Sequence, residues 1–270
     1  MIGVLIVPGF STALWASALG ALGTMAVAFL VGRLLGRYRD IDVFWPLGFV
    51  VVAWVAFGVS ANQPGVDHLQ RSLLAILTSI WGLRLAGYLA WRSRGAGEDP
   101  RYEAILSRAK GSKVLYSLAI VYGLQAMLLW LVSLTVVVGM FARSPLVPLE
   151  ILGAAIWGVG FCFETIGDAQ LLRFSKDPTT KGRVLDTGLW AWTRHPNFFG
   201  DACVWWGLFV IAASGGWGVL ILPAPLLMNL LLVRVSGKAM TERRMARTRV
   251  GFDDYVARTS GFFPRPPHRP

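Results

Sequence analysis

Seven apolar stretches, at residues 11–32, 43–61, 69–91, 114–140, 149–172, 196–214 and 216–235, restrict what this 270-residue chain can become. Each is close to the ~20 residues that an α-helix needs to cross the hydrocarbon core of a bilayer. No water is present there to satisfy backbone N–H and C=O groups, so a spanning segment must close its own hydrogen bonds, as a helix of this length does. The expectation is an all-α, polytopic integral membrane protein of about seven transmembrane helices, forming a single membrane domain over 1–270. A chain that is 55% hydrophobic and 15% charged, with mean hydropathy +0.56, is too apolar for a soluble domain of this length. Pro46, Pro223 and Pro225 are expected to kink their helices. Cys162 and Cys203 fall inside apolar stretches and read as free thiols, and no metal site is expected.

The charges set an expected orientation. Nearly all of the 26 lysines and arginines lie in segments 33–40, 92–113, 173–195 and 234–270, whereas 62–68 and 214–217 carry none and 141–148 carries only Arg143. Basic and bare loops alternate, so the positive-inside rule puts the amino terminus outside and the long loops and carboxyl terminus in the cytoplasm, in a plasma (inner) membrane. A net charge of +11 on a soluble protein would point to nucleic acid. Here the cations flank apolar spans, which excludes nucleic acid as the partner and favours membrane lipids and a phosphate-bearing ligand.

Ionisable groups at membrane depth need a reason. Asp42 opens the second span. Arg84 and Tyr88, one turn apart, share a face of the third, and Glu164 and Asp168 share a face of the fifth. Asp201 lies one turn inside the sixth, on the face of Asn197. With the expected orientation all of them lie toward the cytoplasmic side, which points to a cavity opening there. The competing reading is structural, with ion pairs fixing helix register or Arg84 snorkelling to the surface. Pro196 suits the first turn of a helix, so Arg194 and His195 stand at a helix N-terminus, where free N–H groups and the dipole favour an anion. Lys176, Lys181, Arg183 and Arg234 add cations nearby. The tail from 236 to 258 reads as an amphipathic helix interrupted at Gly251, with Phe252 and Tyr255 able to fold it back. The loop 95–102, with Glu98, Asp99, Arg101 and Tyr102, reads as solvated, and 263–270 as frayed.

The run Phe163-Glu-Thr-Ile-Gly-Asp168, then Lys181-Gly-Arg183, Thr187-Gly-Leu-Trp190, Arg194-His-Pro-Asn-Phe-Phe-Gly-Asp201 and Phe252-Asp-Asp-Tyr255, resembles the C-terminal half of the steroid 5-alpha-reductase family, including an uncharacterised bacterial branch. The Arg-His-Pro-Asn-x-x-Gly-Asp string is also similar to the sterol C14 and C7 reductases and, more loosely, to the isoprenylcysteine carboxyl methyltransferases. The resemblance implies a helical membrane fold that binds NADPH from the cytoplasmic side, with 149–265 as the cofactor-binding half and the helices of 11–140 as the substrate side. It puts Asp168, Arg183, Asn197, Asp201 and Arg234 where those reductases contact the dinucleotide, with Glu164 replacing an Asn and Tyr255 in the last matching string. Trp81 stands where the steroid enzymes have the Tyr that polarises the substrate carbonyl. Indole donates a hydrogen bond but is no comparable acid, which argues against a 3-oxo-steroid substrate.

The expected function is therefore reduction of a carbon–carbon double bond of a lipid or an isoprenoid- or steroid-like molecule by NADPH. Tyr88, Tyr102 and Asp42 are the candidate acids, with Arg84 beside them. Arg183, Arg194, His195 and Arg234 are expected to meet the phosphates, and Asn197 and Asp201 the neutral hydrogen-bonding parts of the cofactor. Two other classes stay open: a lipid or thiol methyltransferase using S-adenosylmethionine, and a non-catalytic lipid-binding membrane protein.

Overall fold

The computed structural model describes residues 9–143, 145–235 and 237–267. Its helices, in chain order, are α1 (Phe10–Leu35), α2 (Ile41–Ser60), α3 (His68–Arg92), the short α4 (Pro100–Leu106), α5 (Lys113–Gly139), α6 (Val147–Lys176), the one-turn α7 (Leu189–Trp192), α8 (Pro196–Ser214), α9 (Pro223–Leu230), α10 (Lys238–Thr248) and α11 (Phe252–Arg258). Among the described residues there is no strand, and seven helical runs are long and apolar enough to cross a membrane. The chain is an all-α polytopic membrane protein; six of its runs begin and end within a few residues of the apolar stretches, and the seventh, Trp217–Thr248, continues past 235. Large apolar side chains such as Trp15, Leu34 and Ile151 lie exposed on the spans, which is the face a bilayer would cover.

Pro46 lies inside α2, which runs through it without interruption. Pro223 and Pro225 fall in the first turn of α9, after a 3-10 turn at Trp217–Ile221. The N–H groups they lack would have had no intrahelical acceptor there, so these prolines start a helix and do not kink one.

The chain divides into two compact units, Met1–Glu150 with Leu208–Ala224, and Ile151–Gly207 with Pro225–Pro270. In the first, α2 packs against α1 and α3, and α5 packs across α1 and α2. At one end of this unit Asp67 caps α3 by accepting the Gln70 N–H. The buried Gln70 amide donates to the Gly139 carbonyl and accepts from the Ser214 hydroxyl. Arg71, buried in the first turn of the same helix, donates to the Phe57 carbonyl and lies 4.1 Å over the Phe57 ring, whose π face receives its charge.

At the other end of the first unit, the loop before α2 and the loop before α4 are bolted together. Glu98 accepts the backbone N–H groups of Tyr38 and Arg39, and Arg39 donates to the Gly97 carbonyl. The loop read as solvated is thus ordered, because Glu98 satisfies two N–H donors and Asp99 caps α4.

The second unit is organised by α6 and α8, which pack antiparallel with their backbones in contact. A Cβ added to Gly200 would come within 2.5 Å of the Gly160 carbonyl oxygen and the Glu164 nitrogen. One added to Gly207 would come within 2.6 Å of the Gly153 carbonyl oxygen and the Trp157 nitrogen. Gly200 and Gly207 are seven residues apart, as are Gly153, Gly160 and Gly167, so both helices present glycine along one seam. In a membrane no hydrophobic drive pushes helices together, and small residues that let backbones approach are a main source of association.

Gly207→Ala should lower the thermal unfolding midpoint of the detergent-solubilised protein, since overpacking costs about 1–3 kcal/mol against at most about 1 gained in helix propensity. Gly158→Ala, on the same helix pair but with no heavy atom within 4 Å of the new Cβ, should leave the midpoint unchanged or raise it. Equal midpoints for the two variants would contradict backbone contact along this seam.

Candidate functional site

The glycine seam fixes where the polar groups of the second unit lie. Glu164 and Asp168 on α6 and Asp201 on α8 are 3%, 4% and 8% exposed, so three carboxylates are buried within membrane-spanning helices. Gly200 abuts Glu164 and Gly167 abuts Pro196 and Asn197, which brings the two pairs Glu164/Asp168 and Asn197/Asp201 to the same stretch of the seam. The Asn197 amide donates to Asp168 at 3.3 Å, while its own oxygen accepts the Phe198 N–H at 3.0 Å in the first turn of α8. Thr165 Oγ1 and Asn229 Oδ1 in this unit are buried with no hydrogen-bond partner among the described residues. Such atoms lose a water without replacing it unless a ligand supplies the partner.

The corner that leads into α8 is held from several directions. Gln170 on α6 accepts the Leu189 N–H and so starts α7. The Trp190 indole donates to the Gly167 carbonyl, and the Tyr255 hydroxyl donates to the Trp190 carbonyl at 2.6 Å. Thr193 donates to the Phe262 carbonyl and accepts the His195 N–H. Arg194 donates to Glu242 at 2.8 Å and to the Val256 and Thr259 carbonyls. His195, 2% exposed, lies 3.1 Å from the same Glu242 oxygen through Nε2 and stacks on Phe198.

Arg194, His195 and Tyr255 thus have their partners within the chain, and together they fasten the tail to the start of α8. The tail folds as α10 and α11 with the break at Gly251, whose φ of 74° suits glycine. The segment read as frayed is docked as far as Arg265: Phe262 and Phe263 pack on Phe199, and the Arg265 N–H donates to the Trp192 carbonyl. The end of that segment, 268–270, lies outside the described residues. Glu242, the hub of this latch, was not singled out in the sequence, although it is the sole acid in the basic helix Lys238–Thr248.

Arg183 and Arg234 are exposed, as is Lys181. Asp177 accepts from the Thr179 hydroxyl and N–H, which, with the nearby Arg183 charge, hold its carboxyl below the usual range.

The first unit brings Asp42 and Tyr102 together. The Tyr102 hydroxyl donates to Asp42 Oδ1 at 2.5 Å, Arg101 donates to Asp42 Oδ2 at 2.7 Å, and Asp99 pairs with Arg101 at 3.0 Å. Burial raises the Tyr102 phenol well above its ordinary value, and the Asp42 carboxylate beside it pushes the same way, so Tyr102 keeps its proton through neutral pH. Burial opposes ionisation of Asp99, but the hydrogen bonds and charge of Arg101 outweigh it and hold the carboxyl below its usual range. Arg84 and Tyr88 are half-buried on α3, one turn apart, with the Arg92 guanidinium 5.4 Å from the Tyr88 ring centroid.

The latch carries a pH dependence whose sign follows from His195. Burial holds its imidazole below the ordinary 6.5, only partly offset by Glu242, while the Arg194 and Lys238 charges work in the same direction as burial. With the tail released, His195 takes up its proton first as pH falls past that value. Docking is therefore strongest above about pH 6.5 and weakens between there and the depressed value. Hydrogen exchange at 252–259, corrected for intrinsic rates, should speed up as pH falls through this window, and His195→Gln should remove the dependence. Unchanged wild-type protection across the window would contradict it.

No curated protein and no solved structure matches the chain. A family model described as "Protein of unknown function (DUF1295)" matches residues 28–259, from the first span to the end of the latch. With most of its length covered, the chain belongs to this family, a steroid 5-alpha-reductase-like family of membrane proteins.

Proposed function

We propose that the protein is an NADPH-dependent membrane oxidoreductase that reduces a carbon–carbon double bond of a lipid or an isoprenoid- or steroid-like substrate. The observation that carries this reading is the buried polar layer on the α6–α8 seam, where Glu164, Asp168 and Asp201 are buried and Asp168 accepts from Asn197 at the start of a membrane-spanning helix. Buried carboxylates are costly at that depth, and ionisable groups inside membrane spans mark ligand or substrate sites by default.

The residues present suit a dinucleotide in two respects. Thr165 and Asn229 hold buried oxygens without partners among the described residues, as a ligand offering hydroxyl or amide donors would require. Arg183, Arg234 and Lys181 are exposed cations of the same unit, free to meet phosphates by charge-assisted bonds. In this reading Asp168, Asn197 and Asp201 orient neutral hydroxyl and amide groups. Glu164 keeps the layer polar where an Asn stands in the reductases the chain resembles. Arg194, His195 and Tyr255 contribute by holding the corner, not by touching phosphate.

When bound, the reduced cofactor supplies the hydride. A protein acid must then protonate the neighbouring carbon. Tyr102 is the candidate donor that the structure positions, because Asp42, itself held by Arg101, orients its hydroxyl. Tyr88 on α3 is the alternative, with Arg84 beside it. The basic loops lie in the cytoplasm in this reading, where the cofactor is available.

Calorimetry on the detergent-solubilised protein should give tighter binding of NADPH than of NADH, because the 2′-phosphate brings charge-assisted bonds worth roughly 1.5–3 kcal/mol each. Arg183→Ala should erase most of that preference, and Asp201→Ala should weaken both nucleotides, each without loss of the folded state. Binding of S-adenosylmethionine with none of NADPH would overturn the proposal in favour of a methyltransferase.

A further inference from the structure

The tail helix α10 has two faces with opposite chemistry. Met240, Arg243, Arg244 and Arg247 follow the spacing i, i+3, i+4, i+7 and so line one side of it. All four are exposed, they border a common shallow groove, and no acid lies on that side of the helix. Glu242 projects from the opposite side, where it receives Arg194 and His195, with Lys238 one turn before it at 3.6 Å. The body-facing side is thereby saturated with partners, and the three arginines point away from it.

The position of α10 in the chain says what that outer face meets. The last span ends in a π turn at Leu231–Val235, where the Gly237 N–H donates back to the Leu231 carbonyl. A Cβ at Gly237 would come within 2.0 Å of the Leu232 carbonyl oxygen, and α10 begins with the next residue, Lys238. A charged helix that starts directly after a membrane span emerges at headgroup level. Exposed apolar residues among its cations, Met240 on the outer face and Val250 just after its end, are the mark of a segment lying on a bilayer surface. The Val250 N–H donates to the Gly182 carbonyl, which joins the exposed Lys181 and Arg183 to the end of α10.

We infer that α10 is a two-faced strap, whose outer face of Met240, Arg243, Arg244 and Arg247 binds the phosphate headgroups of anionic phospholipids while Glu242 on its inner face latches the start of α8. Arginine suits this task because its planar fork grips phosphate oxygens in pairs. Anionic lipid then holds α10 in place, and through Glu242 it steadies Arg194 and His195. The strap does not depend on which cofactor the protein uses, since none of the four outer residues belongs to the proposed cofactor site.

The test is hydrogen exchange at 238–248 in the full-length protein, reconstituted in nanodiscs of phosphatidylcholine alone and of phosphatidylcholine with phosphatidylglycerol. Three arginines at a charged surface should slow exchange in the anionic discs by on the order of tenfold or more. The variant Arg243→Gln/Arg244→Gln/Arg247→Gln should lose that difference. Glu242→Gln, which breaks the latch but leaves the outer face intact, should exchange faster in both discs and keep the difference. Equal exchange of the wild type in the two discs would overturn the inference. So would protection in neutral discs on adding inorganic phosphate, which would make the face a site for a soluble anion, and so would a difference that survives in the triple variant.

Discussion

Backbone contact between α6 and α8 is the constraint on which the second unit of this protein depends. Where Gly200 meets the Gly160 carbonyl and Gly207 meets that of Gly153, no side chain separates the two helices. Dispersion between closely packed backbones then replaces the hydrophobic drive that a membrane does not provide. The register so fixed brings Glu164 and Asp168 level with Asn197 and Asp201. A one-residue slip would rotate those carboxylates by about 100° around the helix and face some of them toward lipid. Packing and site are thus one feature of the sequence, because the glycines that permit the contact alternate with the polar residues that need it.

Around that seam the protein separates two uses of charge. The buried acids lie between helices, while most cations lie outside them, on the loop 178–183 and the tail. Arg194 is the exception that links the two, since it reaches from the start of α8 to Glu242 and to two carbonyls of the tail. A guanidinium with five donors can close a loop in this way, where a lysine could not satisfy three acceptors in a fixed plane. The tail is therefore part of the folded second unit and fixes the corner that presents the first turn of α8.

Most of the fold was legible in the chain because a bilayer leaves few options, and apolar runs of span length are hard to misread. Asp168, Asn197 and Asp201 could also be picked out, since helix periodicity puts Asn197 and Asp201 on one face and polar groups at membrane depth stand out from their surroundings. What the sequence did not show is the partners within the chain. Arg194 and His195 look like phosphate ligands from their place at a helix N-terminus, yet the acceptor they meet is Glu242, 48 and 47 residues further on. The hydroxyl of Tyr255, read as cofactor-binding, reaches back 65 residues to the Trp190 carbonyl. The pairing of Asp42 with Tyr102 spans 60 residues and has no local signature. Phe263 looked frayed because its neighbours are prolines and cations, and only tertiary packing on Phe199, beside Phe262, shows why it stays put.

The proposed function puts a ligand on the α6–α8 seam, among its buried carboxylates. An experimental density map of the protein purified in the presence of NADPH tests it most directly. Density for an extended dinucleotide is expected to run from Asp168, Asn197 and Asp201 toward Arg183, with Thr165 and Asn229 gaining partners from it. A map in which the nucleotide is bound elsewhere, and these side chains close on one another with no room between them, would contradict it.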